Sequence, residues 1–249
     1  MPPGATAVTH RGLVRKHNED AVLIACAGRL LVCADGLGGQ PAGEEAAAIA
    51  IAHVTRALEP HLDARAPRAG ERAWRERLRR ALLGASEAIV EASEGVPGRR
   101  GMATTLIVAA ITARRAYVGH VGDVRGYLRS KAGFVRLTDD HSLVYDRFRA
   151  GELDLEEARA HPERNVVTQA LGVPEGLSPA TTACRLARGD LLLLCSDGYW
   201  ETATEDGLSH SLDEALAASN DLDRVAQALL ARALDSGAAD NVSIVIYRH

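Results

Sequence analysis

The chain has 249 residues and a formal net charge of −4 at pH 7, with 47% apolar and 4% aromatic residues. This acidic balance argues against nucleic-acid binding, because a groove that follows a phosphate backbone needs an excess of basic side chains. The one basic cluster, at 72–80, also carries acids and is typical of the solvated face of a helix. The sequence therefore predicts an aliphatic core and no nucleic-acid partner.

Cysteine spacing and hydropathy predict a cytoplasmic location. The four cysteines lack the short spacings of zinc ligands, and Cys33 and Cys195 lie inside apolar runs, as small buried thiols do. No window approaches the roughly 20 apolar residues of a membrane helix, and residues 1–12 lack the pattern of a signal peptide. We therefore expect a soluble cytoplasmic protein with no membrane partner and, since no linker is visible, a single domain over 1–249.

The first hundred residues predict a hairpin and two helices. Short apolar stretches at 21–25 and 29–34 are typical of a β-hairpin. The segment after them begins with glycines and then becomes helical, and we expect Pro60 to end that helix. A second amphipathic helix is predicted over about 72–92.

From Met102 the period changes from helical to extended. We expect an antiparallel meander of four short strands, at 104–112, 115–121, 125–130 and 133–137. A long polar segment follows, in which Asp154 and Glu157 predict the capping box of a short surface helix. A polar excursion of this length inside a compact domain is typical of a functional flap.

The last third returns to the core. Residues 191–195, LLLLC, predict a buried central strand that ends at Asp197 in a tight turn. The other elements predicted here are strands at 181–186 and 242–247 and helices at about 212–218 and 222–234. Strands in two groups and helices in two pairs indicate an α+β sandwich.

Acidic residues border the apolar runs. Asp35 and Asp197 each follow a buried run, and three further acids stand beside strands, namely Asp20, Asp123 and Asp240. Each alone is more typical of a turn, because Asp before Gly or Asn is a favoured turn former. Together such carboxylates cannot stay ionised without a cation, since like charges raise one another's pKa. An all-oxygen ligand set favours Mn²⁺ or Mg²⁺, and a two-metal centre is the natural interpretation.

Two divalent ions held by carboxylates imply phosphoryl chemistry, in which a metal-bound hydroxide attacks phosphorus in line. Arg15 is close enough in sequence to Asp20 to bind the substrate phosphate, although a surface arginine is an equally common interpretation. The glycine-rich ADGLGG matches no nucleotide-binding pattern, so its glycines more plausibly let the Gly36 carbonyl approach a metal.

Eight collinear motifs carry a resemblance. They are RKHNED (15–20), CADGLGG (33–39), GMATTL (101–106), GHVGDVRGYL (119–128), LTDDHSL (137–143), HPERNVVTQALG (161–172), LLCSDGYWE (193–201) and DNVSIVIY (240–247). In order and spacing this series resembles the bacterial protein phosphatase 2C-like (PPM) family of metal-dependent serine/threonine phosphatases. The resemblance covers the chain from about Thr9 to Tyr247.

The resemblance implies an α+β fold, a four-layer α/β/β/α sandwich of two antiparallel sheets flanked by helix pairs, with the metal centre between the sheets at one edge. Carried over by position, the implied ligands of two central Mn²⁺ or Mg²⁺ ions are Asp20, Asp35, Asp197, Asp240 and the Gly36 carbonyl. Asp123, with Asp197, is the implied site of a third, weaker ion. The residues implied to carry catalysis are Arg15, Asp35 and Asp197. Glu19 is implied to act through water, and 142–164 corresponds to a flap that influences substrate choice.

Two positions depart from the family pattern. Many members place a histidine, proposed as the general acid, directly after the second Asp-Gly, where this chain has Leu37. Bacterial relatives often have a histidine after Gly-Gly instead, where this chain has Gln40, which cannot donate a proton at useful pH. The general acid is therefore unassigned, with metal-bound water, His17 and His141 as open alternatives.

The implied function is hydrolysis of phosphoserine and phosphothreonine in cytosolic proteins, in opposition to a Hanks-type serine/threonine kinase. The implied partners are therefore phosphorylated proteins and such a kinase. One alternative is a pseudophosphatase that binds phosphoproteins without hydrolysing them, which would be expected to lack a metal carboxylate or Arg15. Another is a hydrolase of small phosphate esters, which would require a closed pocket.

Overall fold

The computed structural model describes residues 4–37, 41–63, 65–66, 69–173 and 176–249. Within these ranges two antiparallel sheets have the strand orders β1-β10-β9-β6-β7 (the first sheet) and β2-β3-β4-β5-β8 (the second sheet). The strands are β1 (Gly4–His10), β2 (Ala21–Ala25), β3 (Leu30–Leu37), β4 (Ala103–Ile111), β5 (Arg115–Val121), β6 (Arg125–Ser130), β7 (Gly133–Arg136), β8 (Ala180–Arg185), β9 (Leu191–Cys195) and β10 (Val242–Arg248).

The helices lie outside the paired sheets or on the flap. They are α1 (Pro41–Leu62), α2 (Glu71–Ser93), α3 (Leu143–Arg149), α4 (Leu155–Ala160), α5 (Asp197–Trp200), α6 (Glu205–Ala218) and α7 (Leu222–Asp235). α1 and α2 pack on the second sheet, and α6 and α7 pack on the first. Among the described residues, no helix combines the length and apolar character that a membrane crossing requires.

The two faces of β3 explain why its sequence is an unbroken apolar run. Leu30 and Val32 face the helical layer of α1 and α2, while Leu31 and Cys33 face the first sheet. Side chains alternate between the faces of a strand, so a strand covered on both sides is apolar at every position. The same holds for β9, which is buried throughout. The predicted four-layer α/β/β/α sandwich is thus confirmed.

The sequence missed one strand, and two local predictions were wrong. β1 was not predicted, and it pairs along its whole length with β10. The expected meander is split, because β4 and β5 belong to the second sheet whereas β6 and β7 belong to the first. The chain crosses between the sheets at Gly122, whose φ of +96° suits glycine. α1 also continues past Pro60 to Leu62, since a proline so close to the end of a helix disrupts few backbone hydrogen bonds.

Smaller differences concern the ends of the central strands. Asp35 lies inside β3 rather than after it, and Asp197 is the first residue of the single-turn helix α5 rather than part of a tight turn. The segment at 166–171 forms two isolated bridges, Leu171 with Thr104 and Val167 with Ser142. The capping box of Asp154 and Glu157 at the start of α4 is confirmed.

Candidate active site

Acidic residues from both sheets meet at one edge of the sandwich. Asp20 and Asp35 belong to the second sheet, beside the start of β2 and near the end of β3. Asp197 and Asp240 belong to the first sheet, where β9 ends and β10 begins. Asp123 lies in the crossing between β5 and β6. The structure therefore brings together all five aspartates that the sequence singled out.

Burial and mutual repulsion raise the pKa values of these carboxylates. Burial, followed by the charges of the neighbouring aspartates, raises the pKa of Asp35 well above its ordinary value. The pKa of Asp197 is also raised well above its ordinary value, for the same reasons. Burial raises the pKa of Asp20 to about 6 and that of Asp123 to about 7. A cluster of this kind is held ionised at neutral pH by positive charge.

Two buried carboxylate oxygens mark where that positive charge belongs. Ser196 Oγ donates a hydrogen bond of 2.7 Å to Asp20 Oδ2. The other oxygen of Asp20, Oδ1, and Asp197 Oδ1 are buried and find no donor among the described residues. Leaving buried anionic oxygens without a partner is costly, and a divalent cation satisfies them. The donor set fits the Mn²⁺ or Mg²⁺ that the sequence predicted.

Gly36 stands where only glycine fits. A Cβ atom at this position would overlap the backbone of Gly43 in α1 and come close to the Glu19 carbonyl. The Gly36 amide donates to that same carbonyl at 3.2 Å, and Thr104 Oγ1 donates to the Asp35 carbonyl at 2.8 Å. The backbone beside Asp35 is therefore fixed from both sides.

Side chains alone do not complete a metal site. Within the described ranges, no three Asp, Glu, His or Cys side chains are placed to hold one ion together. An ion at this edge would therefore take further ligands from backbone carbonyls, such as that of Gly36, and from water. Mg²⁺ commonly keeps several waters and uses only one or two carboxylates.

Arg15 lies beside the cluster. Its Nη2 donates to Asp240 Oδ2 at 2.6 Å, and its side chain is 54% exposed. The pair thus leaves part of the guanidinium open to solvent, where it can bind an anion.

Asn241 attaches the loop that carries Arg15 to the start of β10. Its side-chain amide donates to the carbonyls of Arg11 and His17, both at 2.9 Å, and its Oδ1 accepts from the Glu19 amide at 2.8 Å. The residue is buried. One amide therefore fixes both ends of the segment between Arg11 and Glu19.

The comparisons with known proteins agree with this geometry. The family model described as Protein phosphatase 2C matches residues 10–235. The chain belongs to the protein phosphatase 2C family. It is 32% identical over 241 residues to the Serine/threonine phosphatase stp of Listeria monocytogenes, covering 96% of this chain and 92% of that protein.

Solved structures of this phosphatase family superpose closely on the chain. The S. agalactiae serine/threonine phosphatase has a TM-score of 0.87 at 27% identity and covers 99% of both chains. The catalytic domain of the serine/threonine protein phosphatase PstP, crystallised with two manganese ions, has a TM-score of 0.84 at 30% identity. That alignment covers 99% of this chain and 97% of the PstP chain.

A buried network supports Asp123 in this phosphatase 2C-family chain. Trp200 Nε1 donates to the Asp123 carbonyl at 2.9 Å, and the Arg125 guanidinium lies 3.4 Å from the centre of the Trp200 ring. Asp140 pairs with both Arg125 and Arg136. The indole therefore links the Asp123 turn to a buried ion cluster.

The residues considered for proton donation lie in different surroundings. Leu37 is half-buried and Gln40 lies outside the described residues, whereas His17 is exposed. The His141 ring stacks on His120 at 4.8 Å, and its Nδ1 accepts from the Gly122 amide at 3.2 Å. Burial lowers the pKa of His141, so this ring is neutral at pH 7.

The flap is an ordered pair of short helices. Ser142 caps α3 by accepting from the Tyr145 amide, and α4 has the capping box described above. Arg159 donates to the Ala203 carbonyl at 2.9 Å and so connects α4 to the segment after α5.

Sequence reasoning missed three residues around the centre, namely Ser196, Trp200 and Asn241. Each lies directly beside a predicted aspartate or within the same motif. Their long-range partners leave no periodic signal, so only their position next to Asp197 and Asp240 could have drawn attention to them.

Proposed function

We propose that the chain is a metal-dependent phosphatase that removes phosphate from phosphoserine and phosphothreonine in proteins. The observation that carries the proposal is the convergence of carboxylates from both sheets, with two buried oxygens that find no donor in the described part of the chain. Family membership supports it. Within this proposal, 1–249 is one catalytic domain.

In this proposal the carboxylates that hold Mn²⁺ or Mg²⁺ are Asp20, Asp35, Asp197 and Asp240, with the Gly36 carbonyl, and Asp123 contributes to a third, weaker site. When bound, the ions supply positive charge for the phosphoryl oxygens and activate water for attack. Ser196 orients Asp20, and Thr104 holds the backbone of Asp35.

Arg15 binds the substrate phosphate in the proposed mechanism. Its pairing with Asp240 fixes one side of the guanidinium, and the remaining N–H groups face solvent. A guanidinium can donate to two phosphate oxygens at once, which orients the phosphorus toward the attacking water. Asp240 would thus connect phosphate binding to metal binding.

Hydrolysis replaces the P–O bond to the serine or threonine oxygen with a P–O bond from water. The leaving oxygen then needs a proton. Leu37 cannot supply one, and His141 is neutral with its Nδ1 occupied. We assign this proton to water at the site rather than to a side chain.

Opposition to a Hanks-type serine/threonine kinase and a location in the cytoplasm belong to the same proposal. The pseudophosphatase alternative is less favoured, because the full set of carboxylates and Arg15 meet at one edge. A small-ester hydrolase remains the second alternative, and a direct comparison of substrates separates it from a protein phosphatase.

The test is hydrolysis of a phosphothreonine peptide by purified protein in Mn²⁺ and in EDTA. Wild type should be active only with metal, and Asp197→Asn and Asp240→Asn should each lose at least about 100-fold in kcat, a typical loss when charge stabilisation is removed. Asp235→Asn, an exposed aspartate at the end of α7, is the matched control and should retain full activity. Wild type that binds metal but hydrolyses no phosphopeptide would overturn the proposal, and hydrolysis of p-nitrophenyl phosphate alone would favour the small-ester alternative.

A further inference from the structure

The edge of the sandwich opposite the aspartates is strongly basic. We call it the cationic edge; it consists of Arg114, Arg115, Arg129, Lys131, Arg185, Arg188 and Arg248. β5 begins at this edge and runs toward Asp123, while β9 begins here and runs toward Asp197. The sheets therefore carry a cluster of aspartates at one end and a cluster of basic side chains at the other.

Strand pairing places some of these cations against one another. In the pairing of β5 with β8, Arg115 lies directly opposite Arg185. In the first sheet, Leu191 pairs with Arg129 on one side and Arg248 on the other. Like charges directly opposite each other destabilise an antiparallel pair. Arg115 and Arg185 therefore repel each other at this end of the second sheet, and an anion bound between them would reduce that repulsion.

Acidic side chains near the cationic edge neutralise only part of its positive charge. Arg115 pairs with Glu71 at 2.6 Å, and Arg129 pairs with Asp213 at 2.8 Å. Asp190 is buried, and its Oδ2 accepts from the Ala187 amide at 2.8 Å. Four exposed members of the edge form no ion pair with any described residue, namely Arg114, Lys131, Arg185 and Arg188.

These cations surround a depression rather than a flat surface. Its volume is about 780 Å³, and its lining includes the four unpaired cations and Arg115. None of the described residues that line it is aromatic. A concave basic surface suits an extended anionic chain better than a planar bilayer, and the lack of aromatic side chains removes the stacking platform that single-stranded nucleic acids use.

We propose that the cationic edge docks an acidic segment of the protein substrate, apart from the residue that is dephosphorylated. The proposal rests on the proposed function. The seven residues of β5 place the edge about 20 Å from the Asp123 turn, at about 3.3 Å per residue. A substrate anchored there reaches the aspartates through a flexible connection, and the anchor raises the effective concentration of its phosphoresidue.

A binding measurement tests the docking surface without catalysis. The probe is a fluorescent, unphosphorylated peptide with a run of glutamates, followed by anisotropy at about 50 and 200 mM salt, because screening weakens exposed charge pairs. Arg185→Glu with Arg188→Glu removes two unpaired cations, and the new carboxylate at 185 faces Arg115, so folding is preserved. The matched control is Arg72→Glu with Arg79→Glu, two exposed arginines of α2.

Wild type and the α2 control should bind the peptide equally, and the Arg185→Glu, Arg188→Glu variant should bind at least about tenfold more weakly. Equal binding by all three proteins would overturn the proposal. Tighter binding of duplex DNA or of anionic vesicles than of the peptide, at the same salt concentration, would also overturn it in favour of those partners.

A kinetic measurement connects docking to turnover. A phosphothreonine peptide is compared with the same peptide joined to the glutamate run by a Gly/Ser linker of about 15 residues, whose mean span is about 20 Å. The acidic tail should lower KM for wild type and the α2 control by about fivefold or more, and should have no effect on the Arg185→Glu, Arg188→Glu variant. kcat and the kinetics of the untailed peptide should be the same for all three proteins.

If the acidic tail still lowers KM in the Arg185→Glu, Arg188→Glu variant, the docking proposal is contradicted. If no protein hydrolyses either peptide, the proposed function is refuted, and the binding measurement alone decides whether the edge docks an acidic segment.

Discussion

Ser196 and Asp20 are joined by a buried hydrogen bond of 2.7 Å although they lie 176 residues apart. The Ser196 hydroxyl donates to Asp20 and accepts from the Ser243 amide at 2.9 Å. Asp20 belongs to the second sheet, and the two serines belong to the first. The Ser196 hydroxyl therefore connects the two sheets by hydrogen bonds at the edge where the aspartates meet.

Removing the Ser196 hydroxyl should destabilise the folded protein. Ser196→Ala leaves a carboxylate oxygen and the Ser243 amide without partners, and we expect a loss of about 1–3 kcal/mol in the free energy of unfolding. Because the lost hydrogen bond stabilised the ionised form, the pKa of Asp20 should rise further. Urea denaturation measures the loss in the free energy of unfolding. Ser236→Ala, an exposed position after α7, is the control, and equal stability of the two variants would contradict the prediction.

The stability of the metal-free protein should fall as pH rises. The pKa of Asp20 is raised from 3.8 to about 6, and that of Asp123 from 3.8 to about 7. Between the unfolded and folded pKa values the folded state binds more protons, so stability is lost from about pH 4 upward and the loss is complete above the folded pKa. The rise of about two units at Asp20 corresponds to about 3 kcal/mol, and the rise of about three units at Asp123 to about 4 kcal/mol.

Thermal unfolding in EDTA from pH 4.5 to 8 checks this dependence. The midpoint should decline over that range, and Mn²⁺ at about 100 times its Kd should restore about 2.7 kcal/mol at the alkaline end. Proton release on Mn²⁺ addition in weak buffer gives a second readout. A midpoint that stays level in EDTA would contradict the predicted coupling of the carboxyls.

Arg15 should contribute strongly to kcat/KM for the substrate and little to the free energy of unfolding. Its ion pair with Asp240 is more than half exposed on the arginine side, so Arg15→Ala should change the free energy of unfolding by less than about 1 kcal/mol. We expect kcat/KM for a phosphopeptide to fall about 10–100-fold, with partial recovery in Arg15→Lys, because lysine keeps the charge but not the two-pronged geometry. Arg11→Ala in the same loop serves as control and should remain fully active.

Trp200→Phe separates stacking from hydrogen bonding. Phenylalanine keeps an aromatic ring over Arg125 but loses the N–H that holds the Asp123 carbonyl. We expect a loss of about 1 kcal/mol in stability and weaker Mn²⁺ binding at the Asp123 site, measured by calorimetric titration. Trp74→Phe, in the α2 core against Tyr117, should cost stability without changing Mn²⁺ affinity. If both variants weaken Mn²⁺ binding alike, Trp200 has no specific role.

Asp140 and Asp139 are neighbours in sequence, and replacing them should destabilise the protein to very different degrees. Asp140 is buried and pairs with Arg125 and Arg136. Asp140→Ala leaves the largely buried Arg125 without an ion pair and Arg136 with only its longer pair to Glu205 at 3.7 Å, and should cost about 3–5 kcal/mol in urea denaturation. Asp139 pairs with Arg149 at the surface, and Asp139→Ala should cost less than about 1 kcal/mol. Similar losses in the two variants would show that the buried cluster does not stabilise the fold.

The sequence predicted the elements whose signal is local. β3 and β9 are buried on both faces and are therefore continuous apolar runs, and the helices that cover the sheets show their period directly. β1 was not predicted because GATAVTH is short and its partner, β10, lies more than 200 residues away. Likewise, the turn at Gly122 looks like a hairpin in sequence, and only the packing of two sheets shows that the chain changes sheet there.

The same distinction holds for the site. The five aspartates were predictable because each lies at or next to the end of a strand, whereas their supporting contacts were not. Asn241 reaches back to Arg11 and His17, and Trp200 reaches Asp123, across long stretches of chain. No spacing rule encodes such contacts, so the sequence indicated the charged groups but not what orients them.

The position of β10 bears on how the protein is made. This strand lies between β1 and β9, so the first sheet stays in two pieces until the ribosome has released residues 242–248, and Asp240 arrives with them. A nascent chain can assemble the second sheet with α1 and α2 much earlier, since those elements are complete by β8. The aspartate cluster therefore stays incomplete until Asp240 and β10 have been synthesised.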